Sequence, residues 1–186
     1  MINNQEQPIL VAPMPTPFTS DDKVDLKSIE SNAIKWLNTE ISGFVLGTEN
    51  GEETLLSSEE KLDIFKVVSK IHKGKKTIIA GVDNPSISGT LKESEKYAEL
   101  GADIIRIRIP RRRNTIDKYF DEVLKNISTP VLIIHQMSPG GFDSSMTTEG
   151  ADPDQIGRFC DHENVFGYIA SHLVRFEMMT RKYVNK

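Results

Sequence analysis

Two arginines spaced two apart, Arg106 and Arg108, lie in the β-branched run Asp103 to Ile109, and Arg111, Arg112 and Arg113 follow directly after it. Side chains alternate along a strand, so Arg106 and Arg108 share one face. A guanidinium stays charged at any physiological pH, and burying it without a partner is costly. The strand arginines therefore require carboxylates, with Glu49 or Glu52 as candidates, or an anionic ligand carrying a phosphate or carboxylate group. Arg111 to Arg113 read either as part of such an anion site or as a solvated basic turn.

His135 ends another β-branched run, His172 lies just past a further one, and Asp83 follows a third. Brought together at one end of a sheet, these residues suit general acid–base work or a weak metal site. No His-x-His or His-Glu-x-x-His spacing supports a metal, so none is expected. His135 is the candidate acid or base, although a histidine at a strand end or helix cap can equally be structural. His72 and His162 fall near helix ends, where positive charge meets the carbonyl dipole, and are assigned no chemistry. Cys160, beside Ile156 and Phe159, reads as a packed residue; as the sole cysteine it excludes an intramolecular disulfide.

The elements that must position these residues follow a repeat. Short β-branched runs at Ile9 to Ala12, Gly43 to Leu46, Thr77 to Val82, Asp103 to Ile109, Pro130 to His135 and Val165 to Ala170 are each followed by a helical pattern. Asp25 is placed to cap the first helix, with Leu26, Ile29, Ala33, Ile34 and Leu37 facing inward. Ser57 and Glu60 form a capping box for the second, whose stripe of Ile64, Val67, Val68 and Ile71 stops at Gly74. Ile116, Tyr119, Phe120, Val123, Leu124 and Ile127 line one face of the fourth, and Asp152 followed by Pro153 opens the fifth.

Strands joined through helices must run parallel, which makes the fold α/β. No Gly-x-Gly-x-x-Gly turn follows the first strand, so a TIM-barrel-type fold is preferred over a dinucleotide-binding sheet. About six of the usual eight βα units are present, in a single partial domain spanning residues 1–186. A complete barrel takes roughly 250 residues. Either an edge is left open, a partner covers it, or the sequence is part of a longer reading frame.

The 186 residues, 38% of them hydrophobic, suffice for one core, and the net charge of −4 gives no overall footprint for nucleic acid or an anionic membrane. Met1 to Gln7 is polar, and no stretch approaches the roughly 20 apolar residues of a membrane helix, so a soluble cytoplasmic protein is expected.

The runs Pro15-Thr16-Pro17-Phe18, Val24-Asp25-Leu26, Gly43-Phe44-Val45-Leu46-Gly47-Thr48, Gly51-Glu52 and Leu56-Ser57-Ser58-Glu59-Glu60 resemble, in order and spacing, the N-terminal half of the dihydrodipicolinate synthase and N-acetylneuraminate lyase family. Ala98-Glu99-Leu100-Gly101-Ala102-Asp103, Pro130-Val131-Leu132-Ile133 and Asn164-Val165-Phe166-Gly167 continue it. The resemblance implies a class I aldolase: a lysine on the sixth strand forms a Schiff base with a pyruvate-like 2-keto acid, and a tyrosine shuttles protons. The protonated imine is itself the electron sink, so no cofactor is expected. It further implies homo-oligomeric assembly, and a carboxylate-binding loop here represented by Thr48 and Asn50. Backbone amides around Asn50 and Gly51 are placed to cradle an anion, against the opposing charges of Glu49, Glu52 and Glu53.

At the reacting positions the sequence departs from that pattern. Ile169 stands where the lysine belongs, and no lysine occurs between Lys125 and Lys182. The strand-five tyrosine falls at Ile134 or, one residue on, His135; Pro110-Arg111-Arg112 replaces Pro-Tyr-Tyr; and Pro139-Gly140-Gly141 lacks a following arginine. The leading expectation is thus a lyase-like protein that binds or processes a small 2-keto acid or other small anion without the usual lysine. His135 would be its acid or base, Arg108 and Arg111 its anion contacts, and Thr48 with Asn50 its carboxylate loop. The rival is a catalytically inactive barrel fragment serving as a binding or scaffold subunit; a phosphate-binding barrel enzyme rests on the arginines alone. The segment Gln136 to Gly150, rich in Ser, Gly, Met and Thr, reads as a long loop or lid, and Met178 and Met179 as interface residues.

Overall fold

The computed structural model describes residues 9–110, 113–135, 150–170 and 174–185. Arg111, Arg112, His172 and most of the segment 136–150 lie outside the described residues. The fold is α/β: among the described residues, six strands alternate with six helices in the βα order of a TIM-barrel-type protein. The chain falls into two compact units, one reaching Ala80 and including Glu99–Asp103, the other formed by Gly81–Ala98 and the residues from Ile104 onward. Among the described residues no helix is long and apolar enough to cross a membrane.

In the first unit, β1 (Val11–Pro13), β2 (Gly43–Leu46) and β3 (Thr77–Val82, entering the second unit after Ala80) pair in parallel. β2 is buried along its whole length, as a strand covered on both faces must be. The helices begin where local chemistry dictates. α1 (Leu26–Leu37) is capped by Asp25, whose carboxylate accepts from the amides of Lys27 and Ser28 at 3.1 Å. α2 (Ser58–His72) opens on the Ser57–Glu60 capping box and ends with Lys73 in the left-handed region ahead of Gly74. α1 buries Ile29 and Ala33, but Ile34 is exposed: one residue beyond Ala33 is a rotation of about 100°, which carries it off the inner face. The inner face of α2 is likewise rotated, onto Ile64, Phe65, Val68 and His72. β1 begins later than its apolar run, leaving Ile9 and Leu10 exposed.

His72 does not use its helix end as a cation would. Its Nδ1 accepts from the amide of Gly74 at 2.7 Å, which requires that nitrogen to be unprotonated, and burial holds its pKa below the usual histidine value despite the charge of Asp103. The folded protein therefore binds this proton less readily than the unfolded chain. Stability tied to His72 is complete above the unfolded value of 6.5 and is lost as pH falls below it. Chemical denaturation at a series of pH values should show wild-type stability declining below 6.5, with a shallower decline in His72→Gln. Parallel profiles for the two proteins would refute the assignment.

In the second unit, β4 (Ile104–Arg108), β5 (Val131–His135) and β6 (Val165–Ala170) also pair in parallel, with a bulge at Phe166 between the β5 pairings of Val131 and Leu132. Its core gathers Ile105, Ile107, Val131 and Ile133 from the strands and Ile116, Phe120, Val123 and Leu124 from α4 (Ile116–Asn126). α5 (Pro153–Cys160) starts on a capping box of Asp152 and Gln155 with proline in its first turn, and adds Ile156, Phe159 and Cys160. The buried residues of α3 (Ile87–Glu99), in contrast, are polar: Thr90, Ser94 and Tyr97. The short α6 (Val174–Thr180) leaves Met178 and Met179 exposed.

Candidate functional site

The register of the second unit decides which side chains meet. Arg106 stands opposite Leu132, and Leu132 opposite Gly167; Arg108 stands opposite Ile134, and Ile134 opposite Ile169. Residues paired in this way point to the same face. Arg106, Arg108, Ile134 and Ile169 therefore share one face. The opposite face carries Ile107, Ile133, Tyr168 and, at the end of β5, His135.

On the first face, Asp83, just past β3, holds both arginines. Its Oδ1 lies 3.1 Å from the Arg106 guanidinium and its Oδ2 lies 3.1 Å from Nε of Arg108. The Arg106 side chain is 2% exposed and that of Arg108 is 25% exposed, so the second reaches toward solvent while the first is locked in the interior. The alternation of Arg106 and Arg108 is thus real. A carboxylate grouped in the sequence with histidines proves to be an arginine partner. Among the described residues no group of three His, Cys, Asp or Glu side chains could hold a metal ion.

His135 occupies a different environment. It is 2% exposed, its ring stacks on Phe176 of α6 at 5.0 Å, and its Nε2 accepts from the amide of Ala151 at 3.1 Å. The proton of the neutral ring then resides on Nδ1. Ala151 directly precedes the Asp152 cap, so His135 joins the end of β5 to the start of α5, on the face away from the arginines. Tyr168, on that same side, has its phenol pKa pushed up, first by burial, with the Thr180 hydroxyl pulling it back.

Behind Asp83 lies a hydroxyl pair that composition and periodicity did not reveal. Tyr119 of α4 and Thr90 of α3 are 2.6 Å apart, and both reach the backbone carbonyl of Asn84, at 3.0 and 2.9 Å. Burial, in part offset by the Thr90 hydrogen bond, pushes the Tyr119 phenol up to about 12, which keeps it a donor. Tyr119 had a place in the sequence only as one member of an apolar stripe. Its hydroxyl is a long-range contact with no local signature.

Of the basic turn, Arg113 forms an ion pair with the Asp152 cap. On the neighbouring helices Asp117 accepts from both Gln155 and Arg158.

In the first unit, the loop after β2 is wound on itself. The carbonyl of Thr48 accepts from the amides of Gly51 and Glu53, and the carbonyl of Glu49 accepts from the amide of Glu52. These amides face inward to the loop, so the cradle expected around Asn50 and Gly51 lacks the Gly51 donor. Thr48 is buried and its hydroxyl has no hydrogen-bond partner among the described residues, whereas Asn50 is exposed. Glu53 is buried and turns the loop's acidic character partly inward.

The relatives of this chain agree with its βα order. The 4-hydroxy-tetrahydrodipicolinate synthase of Lactobacillus helveticus is 27% identical over 129 residues, covering 67% of this chain and 42% of that protein. The crystal structure of N-acetylneuraminate lyase from Mycoplasma synoviae superposes with a TM-score of 0.73 at 27% identity, covering 93% of this chain and 58% of that one. A dihydrodipicolinate synthase family protein from Coccidioides immitis, described as putative, shares the fold at 24% identity with a TM-score of 0.81, over 98% of this chain and 59% of its own. The chain thus spans under half the length of this curated relative and about three-fifths of the solved ones. Residues 7–179 match the dihydrodipicolinate synthetase family, and the chain belongs to that family.

Proposed function

We propose that this chain is a lyase-family protein that binds a small 2-keto acid, or a similar small carboxylate, at the arginine-bearing face of β4 without forming an imine on β6. The observation that carries the reading is Ile169. It shares the face of Arg108 through the pairing of both with Ile134, at the position where the family pattern places its lysine, and an alkyl side chain offers no amine. Arg108, steadied by Asp83 and partly exposed, is the proposed carboxylate contact, since a guanidinium recognises a carboxylate through paired N–H donors. Arg111 extends this proposal. Thr48 and Asn50 are a separate candidate for anion contact in the first unit. His135, buried on the other face, is proposed to support the end of β5 and not to move protons.

The second reading, a catalytically inactive binding or scaffold subunit, draws on the same isoleucine. Cytoplasmic homo-oligomers are part of either proposal, with the exposed Met178, Met179 and Tyr183 as apolar contact surface. Pyruvate with borohydride, followed by intact mass, tests the chemistry. No adduct is expected, together with a saturable thermal shift by pyruvate that weakens in Arg108→Gln. A stoichiometric adduct on the native chain would overturn the first reading, and no shift at any concentration would leave the scaffold.

A further inference from the structure

Asn84 directly follows Asp83, and its polar groups are held on several sides. Its carbonyl accepts from Tyr119 and Thr90, its Nδ2 donates to Glu93 at 2.8 Å, and its Oδ1 accepts from the amide of Ser86 at 2.9 Å. The seat is shaped for this side chain: a Cβ at Gly89 would stand 2.5 Å from Asn84 Nδ2. Tyr119 is 2% and Thr90 0% exposed. Three oxygens, those of Tyr119, Thr90 and the Asn84 carbonyl, lie within 2.6 to 3.0 Å of one another and share only the two hydroxyl protons. At most one of those protons can lie between the two hydroxyls, so the other is left to donate to the carbonyl.

Such a buried polar cluster stabilises no more than an apolar one of the same shape, but it specifies one arrangement of the backbone. The carbonyl it fixes belongs to the peptide between Asn84 and Pro85, one residue beyond Asp83. We infer that Thr90 and Tyr119 are positioning residues which, by clamping the Asn84 carbonyl, aim the Asp83 carboxylate at Arg106 and Arg108. The functional consequence rests on the proposal that Arg108 meets the ligand; the geometric consequence does not.

The full chain carries the test, through the Nε–H signals of its arginines in ¹⁵N–¹H spectra without ligand and then with pyruvate. Tyr119→Phe and Thr90→Val should shift the Arg106 and Arg108 signals and speed their exchange with water. Thr90→Ser, which keeps the hydroxyl, should restore the native pattern. Arg158, paired with Asp117 on the same helix as Tyr119, is the control: general loosening of α4 would move its signal too. Should Thr90→Val not fold, Tyr119→Phe, which deletes one oxygen and keeps the ring, still decides. Unchanged Arg106 and Arg108 signals, or equal movement of Arg158, overturn the inference whatever pyruvate does. Shifted signals in a protein that ignores pyruvate support the clamp and sink the proposed ligand.

Discussion

Replacing Asp83 by alanine should destabilise the protein by about 3–5 kcal/mol, the usual cost of stripping one partner from a buried ion pair. The cost comes chiefly from Arg106, because its interior guanidinium cannot be rehydrated where it stands. Arg108 adds less, since its greater exposure lets water replace part of the lost interaction. The charge explanation makes a second, sharper demand: Asp83→Ala combined with Arg106→Leu should recover most of the loss, as an apolar side chain of similar volume has no charge to strand. Urea denaturation of the two variants and the wild type measures both steps. A loss under about 1 kcal/mol for Asp83→Ala would mean that other groups hold Arg106, and Asp83 would then cease to be the organiser of this face.

What could be read in the sequence was whatever is encoded within a few residues. Asp25, Ser57 with Glu60, and Asp152 with Pro153 each cap a helix through contacts inside one turn, and each does so in the structure. β2, β3 and β6 coincide with their β-branched runs, because such side chains suit the pleated surface of a strand. Alternation alone puts Arg106 and Arg108 on one face, and Asp83 forms ion pairs with both.

Relations between strands were not legible, because they depend on register. Nothing within Pro130 to His135 says whether His135 aligns with Arg108 or with the residue beside it. One residue decides the matter: Ile134 pairs with Arg108, so His135 turns to the other face and stacks on Phe176. The histidine–aspartate grouping expected from strand ends fails to form among the described residues for this reason. α3 misleads in another way. Thr90 and Ser94 look like solvent-facing residues, yet they are buried, and Thr90 is satisfied by Asn84 and Tyr119 from distant parts of the chain. Its partners carry no local signature in the sequence.

Phe120→Ala should be as damaging as Asp83→Ala, at about 3–5 kcal/mol, but for a different reason. The ring is completely buried, stacks on Phe159 of α5 at 4.7 Å, and meets Tyr119 edge-on at 5.2 Å. Truncation removes its transfer free energy and leaves a cavity between α4 and α5 that two packed helices cannot readily close. Phe120→Leu, which refills most of that volume, should cost roughly 1–2 kcal/mol. Urea midpoints distinguish the cases, and equal losses for Ala and Leu would show that ring geometry, not volume, is what α5 requires. The two variants also differ in their reach toward the candidate site. Tyr119 is braced by Phe120 and aims its hydroxyl at Asn84, so a cavity at position 120 gives that ring room to tilt. Phe120→Ala should therefore disturb the Arg106 and Arg108 Nε–H signals as well as stability, while Phe120→Leu leaves them nearly native. That result would tie the packing of α4 to the aim of Asp83 through a single aromatic contact.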